Sequence, residues 1–100
     1  KWYAPECIYY YKFSSKSDVW SYGVTLWETM SRGEMPYQGM DGQDILRMFK
    51  ENKRLSKPDT CPIIIYQLMW NCWHFKPEDR LNFTQICDQL SRYLTNREKQ

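Results

Sequence analysis

Histidine occurs only once, at His74. With one imidazole the chain cannot build a histidine-based catalytic triad or a multi-histidine metal site by itself. His74 reads as a surface residue just past a helix end. The four cysteines, Cys7, Cys61, Cys72 and Cys87, form no Cys-x-x-Cys pair and no zinc-finger spacing. They read as buried free thiols, with Cys72 and Cys87 among apolar residues on helical periods. Free thiols imply a reducing, intracellular compartment. Long apolar runs are missing too. The longest, Ile63-Ile64-Ile65-Tyr66, falls far short of the roughly 20 residues a bilayer span requires, so no membrane insertion is expected. The net charge of +2, from 14 basic and 12 acidic side chains, is too small to imply nucleic acid or another polyanion as partner. No charged-then-apolar signal peptide opens the chain, and Lys1 is not preceded by Met, which reads as a processed product or a fragment.

Aromatic residues are what the chain has in quantity. Five Trp, eight Tyr and four Phe, within a composition that is 42% hydrophobic, exclude a disordered chain. One hundred residues suffice for one domain or part of one.

The clearest helix spans Ser17 to Ser31. Ser15 with Asp18 fits a capping box, and Ser17 competes as the cap. Val19, Trp20, Tyr22, Val24, Leu26, Trp27 and Met30 point in nearly all directions around its axis, which predicts a helix buried on every side. Gly33 is the natural left-handed residue after it. Asp41 with Asp44 predicts a cap for a second helix reaching Lys50, with a narrow apolar stripe of Ile45, Met48 and Phe49. The stretch Lys50 to Lys57 reads as a solvated face. Pro62 predicts the first position of a third helix, whose buried stripe is Ile65, Leu68, Met69, Cys72 and Trp73. Phe75 to Asn82 is a connection. A last helix over Phe83 to Leu94 carries Phe83, Ile86, Cys87, Leu90 and Leu94 on one face, and the polar tail 95–100 is expected to fray. A short helix over Pro5 to Tyr10 follows from the proline that presets its first turn. No segment alternates like a strand, so the fold class is all-α.

These residues, in order, resemble a protein tyrosine kinase. Lys1-Trp2-Tyr3-Ala4-Pro5-Glu6 is similar to the end of a kinase activation segment, which closes on Ala-Pro-Glu. Ser17-Asp18-Val19-Trp20-Ser21-Tyr22-Gly23-Val24 resembles the start of the central helix of the kinase C-terminal lobe. Leu26-Trp27-Glu28, Pro36-Tyr37, Cys61-Pro62, Leu68-Met69, Cys72-Trp73 and Arg80 follow in sequence. Lys1-Trp2, Gly23-Val24 and Cys72-Trp73 take tyrosine-kinase forms. Tyr3 and the run Tyr10-Tyr11-Lys12-Phe13-Ser14-Ser15-Lys16-Ser17-Asp18 resemble the Syk family of cytoplasmic, non-receptor kinases. Leu81 departs from the pattern, which has proline after the arginine.

The resemblance implies a partial helical C-terminal lobe over residues 1–94, with residues 95–100 as a tail. It implies a parent enzyme that moves the γ-phosphate of ATP, with Mg, to tyrosine on protein substrates. The Gly-rich loop, strand lysine, catalytic Asp and magnesium-binding Asp-Phe-Gly are absent, so the segment alone should be inactive and bind no cofactor. Lys1, Trp2, Tyr3 and Ala4 would form the substrate platform. Glu6 and Arg80 would meet as a buried ion pair, with Trp20 a further structural anchor. Asp18 would accept hydrogen bonds from a catalytic loop. Phosphotyrosine-bearing receptor tails would be partners through other domains. A pseudokinase-type scaffold is the alternative, and a receptor kinase a third possibility. Tyr9, Tyr10 and Tyr11 are candidate phosphorylation sites, though such clusters more often pack.

Overall fold

The computed structural model describes residues 2–98. Lys1, Lys99 and Gln100 lie outside them, and with them the Lys1 part of the expected platform and the end of the expected tail. Five α-helices follow one another: α1 (Pro5–Tyr10), α2 (Ser15–Met30), α3 (Gly42–Lys50), α4 (Ile63–Cys72) and α5 (Phe83–Glu98). A 3₁₀ turn at Pro77–Asp79 interrupts the connection before α5, and no strand occurs among the described residues. The all-α expectation stands.

Helix α2 is the centre of the molecule, and α4 packs along it. Its cap lies earlier than the sequence suggests. Ser14 accepts from the backbone N–H groups of Lys16 and Ser17, and the Ser17 hydroxyl accepts from Ser14 N. The box is therefore Ser14/Ser17, because only Ser14 takes the extended backbone (φ −155°, ψ 177°) that a cap requires. At the far end Arg32, with φ 63°, is the first left-handed residue. Gly33 N–H donates back to Glu28 O and Arg32 N–H to Thr29 O, a Schellman closure in which the expected left-handed Gly33 (φ 89°) follows an arginine that is already left-handed. Asp41 and Asp44 cap α3 reciprocally. Pro62 is the residue before α4 rather than its first member.

The core forms where α2 and α4 meet. Val19, Trp20, Val24 and Trp27 face Ile65, Leu68, Met69, Cys72 and Trp73, all buried. Gly23 makes the close approach possible: a Cβ there would come within 2.7 Å of Trp73 Nε1 and 2.9 Å of Cys72 Cβ. The prediction of a helix buried on all sides is corrected, however. Asp18, Thr25 and Thr29 are exposed, and Tyr22, Leu26 and Met30 only half-buried, so one face of α2 is open. Helix α5 covers this face poorly. Ile86 is buried, but Phe83, Cys87 and Leu94 are exposed, which corrects the reading of Cys87 as a core thiol. An apolar groove of about 590 Å³ runs between the helices, lined by Leu26, Met30, Ile65, Leu90 and Leu94 among others. Helix α5 also continues past Leu94 to Glu98, because no proline or glycine stops it.

Candidate functional site

The first residues lie across the start of α2 and are fastened to it. Ser21 Oγ donates to Trp2 O at 2.7 Å, and Trp2 Nε1 donates to Glu28 Oε1. Trp2 and Tyr3 remain 39% and 59% exposed, so their side chains are available to a ligand. Tyr3 stacks edge-on against Phe13 with centroids 5.8 Å apart. Ala4 differs: it is fully buried, and its carbonyl accepts from Cys7 and Ile8 as the residue before α1. Within the expected platform Ala4 is therefore support beneath the surface and not a contact residue. Beside Tyr3 opens an apolar cleft of about 270 Å³, walled by Ile8 of α1 and by Met40, Gly42 and Ile45 at the start of α3.

Directly after this loop stands the most heavily bonded group of the molecule. Arg80 Nη1 donates to Glu6 Oε2 at 2.7 Å and Nη2 to Glu6 Oε1 at 2.8 Å, across 74 residues of sequence. Such two-pronged geometry suits a planar guanidinium and carboxylate. The remaining N–H groups donate to the carbonyls of His74, Lys16 and Phe75. All five donors of this arginine are thereby used. Lys16 Nζ in turn donates to Arg80 O, and Ser17 Oγ to Glu6 Oε2. The Arg80 side chain is wholly buried and that of Glu6 is 13% exposed. Burial raises the Glu6 pKa, but hydrogen bonds from Arg80 and its own backbone, the Arg80 charge and the Ser17 hydroxyl outweigh burial and hold it below its ordinary 4.5. The carboxylate is ionised at neutral pH. The Trp20 ring lies 5.0 Å from the Arg80 guanidinium carbon, a cation–π contact that fills the apolar side of the pair.

Asp18 sits apart from this cluster. Its side chain lies on the open face of α2 with no hydrogen-bond partner among the described residues. It does not join Glu6, Arg80 and Trp20 in one site.

Two residues the sequence reading passed over belong to this region. Glu28 clasps Trp2, a contact 26 residues apart that no local pattern announces. Arg54 lies in the stretch read as a solvated face, yet is only 8% exposed. That reading is corrected: among aromatic neighbours a guanidinium is buried where a lysine would hold its compact charge in water. Burial pushes the Cys72 thiol up to about 12, so it stays protonated. Among the described residues no three His, Cys, Asp or Glu side chains converge on a common point.

Comparison with known proteins agrees with the motif reading. A family profile described as protein tyrosine and serine/threonine kinase matches residues 1–90. The chain is 47% identical over 93 residues to tyrosine-protein kinase SYK of Gallus gallus, covering 93% of this chain and 15% of the relative. It is 50% identical to mouse tyrosine-protein kinase ZAP-70 over the same shares. To the Xenopus laevis ephrin type-A receptor 4-A it is 48% identical over 96 residues, covering 96% of this chain and 10% of the relative. The chain thus spans about 15% or less of the length of these relatives.

Proposed function

This chain belongs to the protein tyrosine and serine/threonine kinase family, on its Syk-like tyrosine kinase side, and from that premise we propose that it forms the substrate-docking base of a C-terminal lobe. The whole enzyme would transfer the γ-phosphate of ATP to tyrosine hydroxyls of protein substrates, with magnesium. By the resemblance its ligands belong to other parts of the kinase domain, and no chemical step is assigned to these residues. In phosphoryl transfer most of the acceleration comes from positioning and charge stabilisation, so a lobe that only positions still determines rate.

Trp2 and Tyr3, with Lys1 before them, would line the path of the substrate backbone, and the cleft beside Tyr3 would take an apolar side chain of the peptide. Glu6, Arg80 and Trp20 would hold this loop at a constant height above α2. Asp18 would accept hydrogen bonds from a catalytic loop lying on the open face, where a carboxylate without partners is available for them. The observation that carries the reading is the two-pronged Glu6–Arg80 pair immediately beneath the exposed Trp2 and Tyr3. A cytoplasmic location follows the likeness to SYK and ZAP-70, and phosphotyrosine-bearing receptor tails would be partners through domains outside this chain. The likeness to an ephrin receptor keeps a membrane-anchored parent in view, and no described helix is long and apolar enough to cross a membrane.

The test uses a kinase domain that contains these residues, assayed with ATP, magnesium and a tyrosine peptide. Tyrosine phosphorylation that Trp2→Ala weakens through the peptide KM supports the reading. A folded domain that binds peptide without turnover supports a scaffold instead and overturns the catalytic part. The 100-residue chain assayed alone should transfer nothing.

A further inference from the structure

Arg54 presents a physical problem. It is a buried cation, and among the described residues no carboxylate pairs with it. A charge removed from water without compensation is expensive. Its compensation comes from helix ends and aromatic faces. Nε donates to Trp73 O at 2.8 Å, the residue that ends α4. Nη1 donates to Lys53 O at 2.8 Å and to Phe49 O at 3.3 Å, the latter in the last turn of α3. Helix C-termini carry partial negative charge and unused carbonyls, so one guanidinium meets the negative ends of two helices. The rings of Trp20, Phe49 and Trp70 lie 5.3, 5.5 and 5.5 Å from its Cζ. Their negative faces add to this, while Nη2 is buried without a hydrogen-bond acceptor among the described residues.

Among the described residues no other helix runs closely along helix α3. It is seated by Ile45 and by Phe49, whose ring meets Trp20 at 4.8 Å and Tyr37 at 5.7 Å, with Leu46 and Met48 partly buried beside them and Lys50 over the Tyr9 ring. The Arg54 fork is the fastening that joins its C-terminal end to both α2 and α4. The opposite end of α3 carries Gly42 and Ile45, which wall the cleft beside Tyr3.

We infer that Arg54 is a positioning residue for substrate docking: it sets the tilt of α3 and thereby the width of the Tyr3–Ile45 cleft. The inference rests on the docking role proposed above. It also gives Trp20 a second duty. One indole carries Arg80, which anchors the loop on one side of the cleft, and Arg54, which anchors the helix on the other. The two walls are thus referred to one ring.

The experiment compares Arg54→Lys and Arg54→Met with the unaltered kinase domain. In both variants the peptide KM should rise about tenfold, as a wall displaced by a fraction of an ångström misplaces the substrate. The KM for ATP and the kcat should stay within about twofold. Lysine keeps the charge but loses the fork, so it should fail to rescue. A peptide KM unchanged in Arg54→Lys, or a parallel loss in ATP KM and kcat, overturns the inference. Amide hydrogen exchange gives a readout that needs no catalysis. Residues 42–50 should exchange about tenfold faster in Arg54→Lys while α5 is unchanged. Equal exchange in α3 overturns the role of Arg54 even in a domain without turnover. Accelerated α3 exchange in a domain that phosphorylates nothing keeps Arg54 as the fastener and sinks only the docking role.

Discussion

The two long faces of α2 are built from the same kinds of residue and end in opposite states. On one face Val19, Trp20, Val24 and Trp27 lie against α4, with Gly23 admitting Trp73 to van der Waals contact and two buried guanidinium groups against the Trp20 ring. On the other, Tyr22, Leu26 and Met30 are half-covered, Asp18 is exposed, and an apolar groove separates the helix from α5. The first face supplies acceptors for all five N–H groups of Arg80, although the indole N–H groups of Trp20 and Trp73 and Nη2 of Arg54 are buried there without a hydrogen-bond partner among the described residues. The second has apolar side chains and a carboxylate without partners. A helix of such composition is suited to burial on both sides, and this chain completes only the side that bears the loop of residues 2–4. The difference separates what these residues can hold by themselves from what they offer to the rest of a kinase domain.

The largest expected effect comes from breaking the closed face. Arg80→Met leaves the Glu6 carboxylate buried without its cation and should cost about 3–5 kcal/mol of unfolding free energy, measured by chemical denaturation. Glu6→Gln should cost less than Arg80→Met, because the amide oxygen can still accept from Arg80 and the guanidinium keeps the carbonyls of His74, Lys16 and Phe75. If both cost under about 1 kcal/mol, the pair behaves as a surface ion pair and the closed face is not closed. The same pair has a pH signature. The folded-state pKa of Glu6 lies below its ordinary 4.5, so its contribution is complete at neutral pH. That contribution fades as pH falls through the folded value below 4.5, because the folded carboxylate then takes up its proton. Glu6→Gln should flatten the acid limb of a stability–pH profile and leave the range above pH 6 parallel to the parent's.

Gly23 gives a smaller effect on the same face. Alanine improves helix propensity, but its Cβ would press on Trp73 Nε1 and Cys72 Cβ. Neither neighbour is the free end of a flexible chain, so overpacking by about 1–3 kcal/mol should outweigh the propensity gain of about 1 kcal/mol. Thr25→Ala, on the open face of the same helix, is the control and should change stability by less than about 0.5 kcal/mol. Equal responses at positions 23 and 25 would erase the distinction between the faces.

Legibility followed the range of the interactions. Helix α1 came from a proline and α3 from Asp41 and Asp44, signals carried within a few residues. The stripe of α4 followed from its period. The cap of α2 was misplaced by one residue, because Ser14, Ser15 and Ser17 all qualify by type and only backbone conformation selects among them. The extent of α2 burial was overestimated because composition reports what a helix is suited to bury and not what the chain supplies to bury it. Cys87 was misread for the same reason. A link between Glu6 and Arg80 has no local signature and came only with the family resemblance. Arg54 had no signal in type or spacing, and Glu28 entered only as part of a motif that says nothing of its bond to Trp2. A charge in a Lys-containing stretch looks solvated until the rings around it are known.

The smallest stability change belongs to the open face, and it is the most informative about assembly. Leu26, Leu90 and Leu94 line the groove, and Leu94 is 56% exposed. An uncovered apolar surface of this kind drives association. The 100-residue chain by itself should therefore self-associate at micromolar concentration in sedimentation velocity. Leu94→Gln should move it toward monomer while altering unfolding free energy by less than about 0.5 kcal/mol, since an exposed side chain gives up little burial. In a full kinase domain the same substitution should behave oppositely: no change in association, and a loss of about 1–3 kcal/mol if the groove is filled there, as for any polar group placed in an apolar interior. A monomeric isolated chain would show that the groove closes on itself, and the two faces of α2 would then be equivalent.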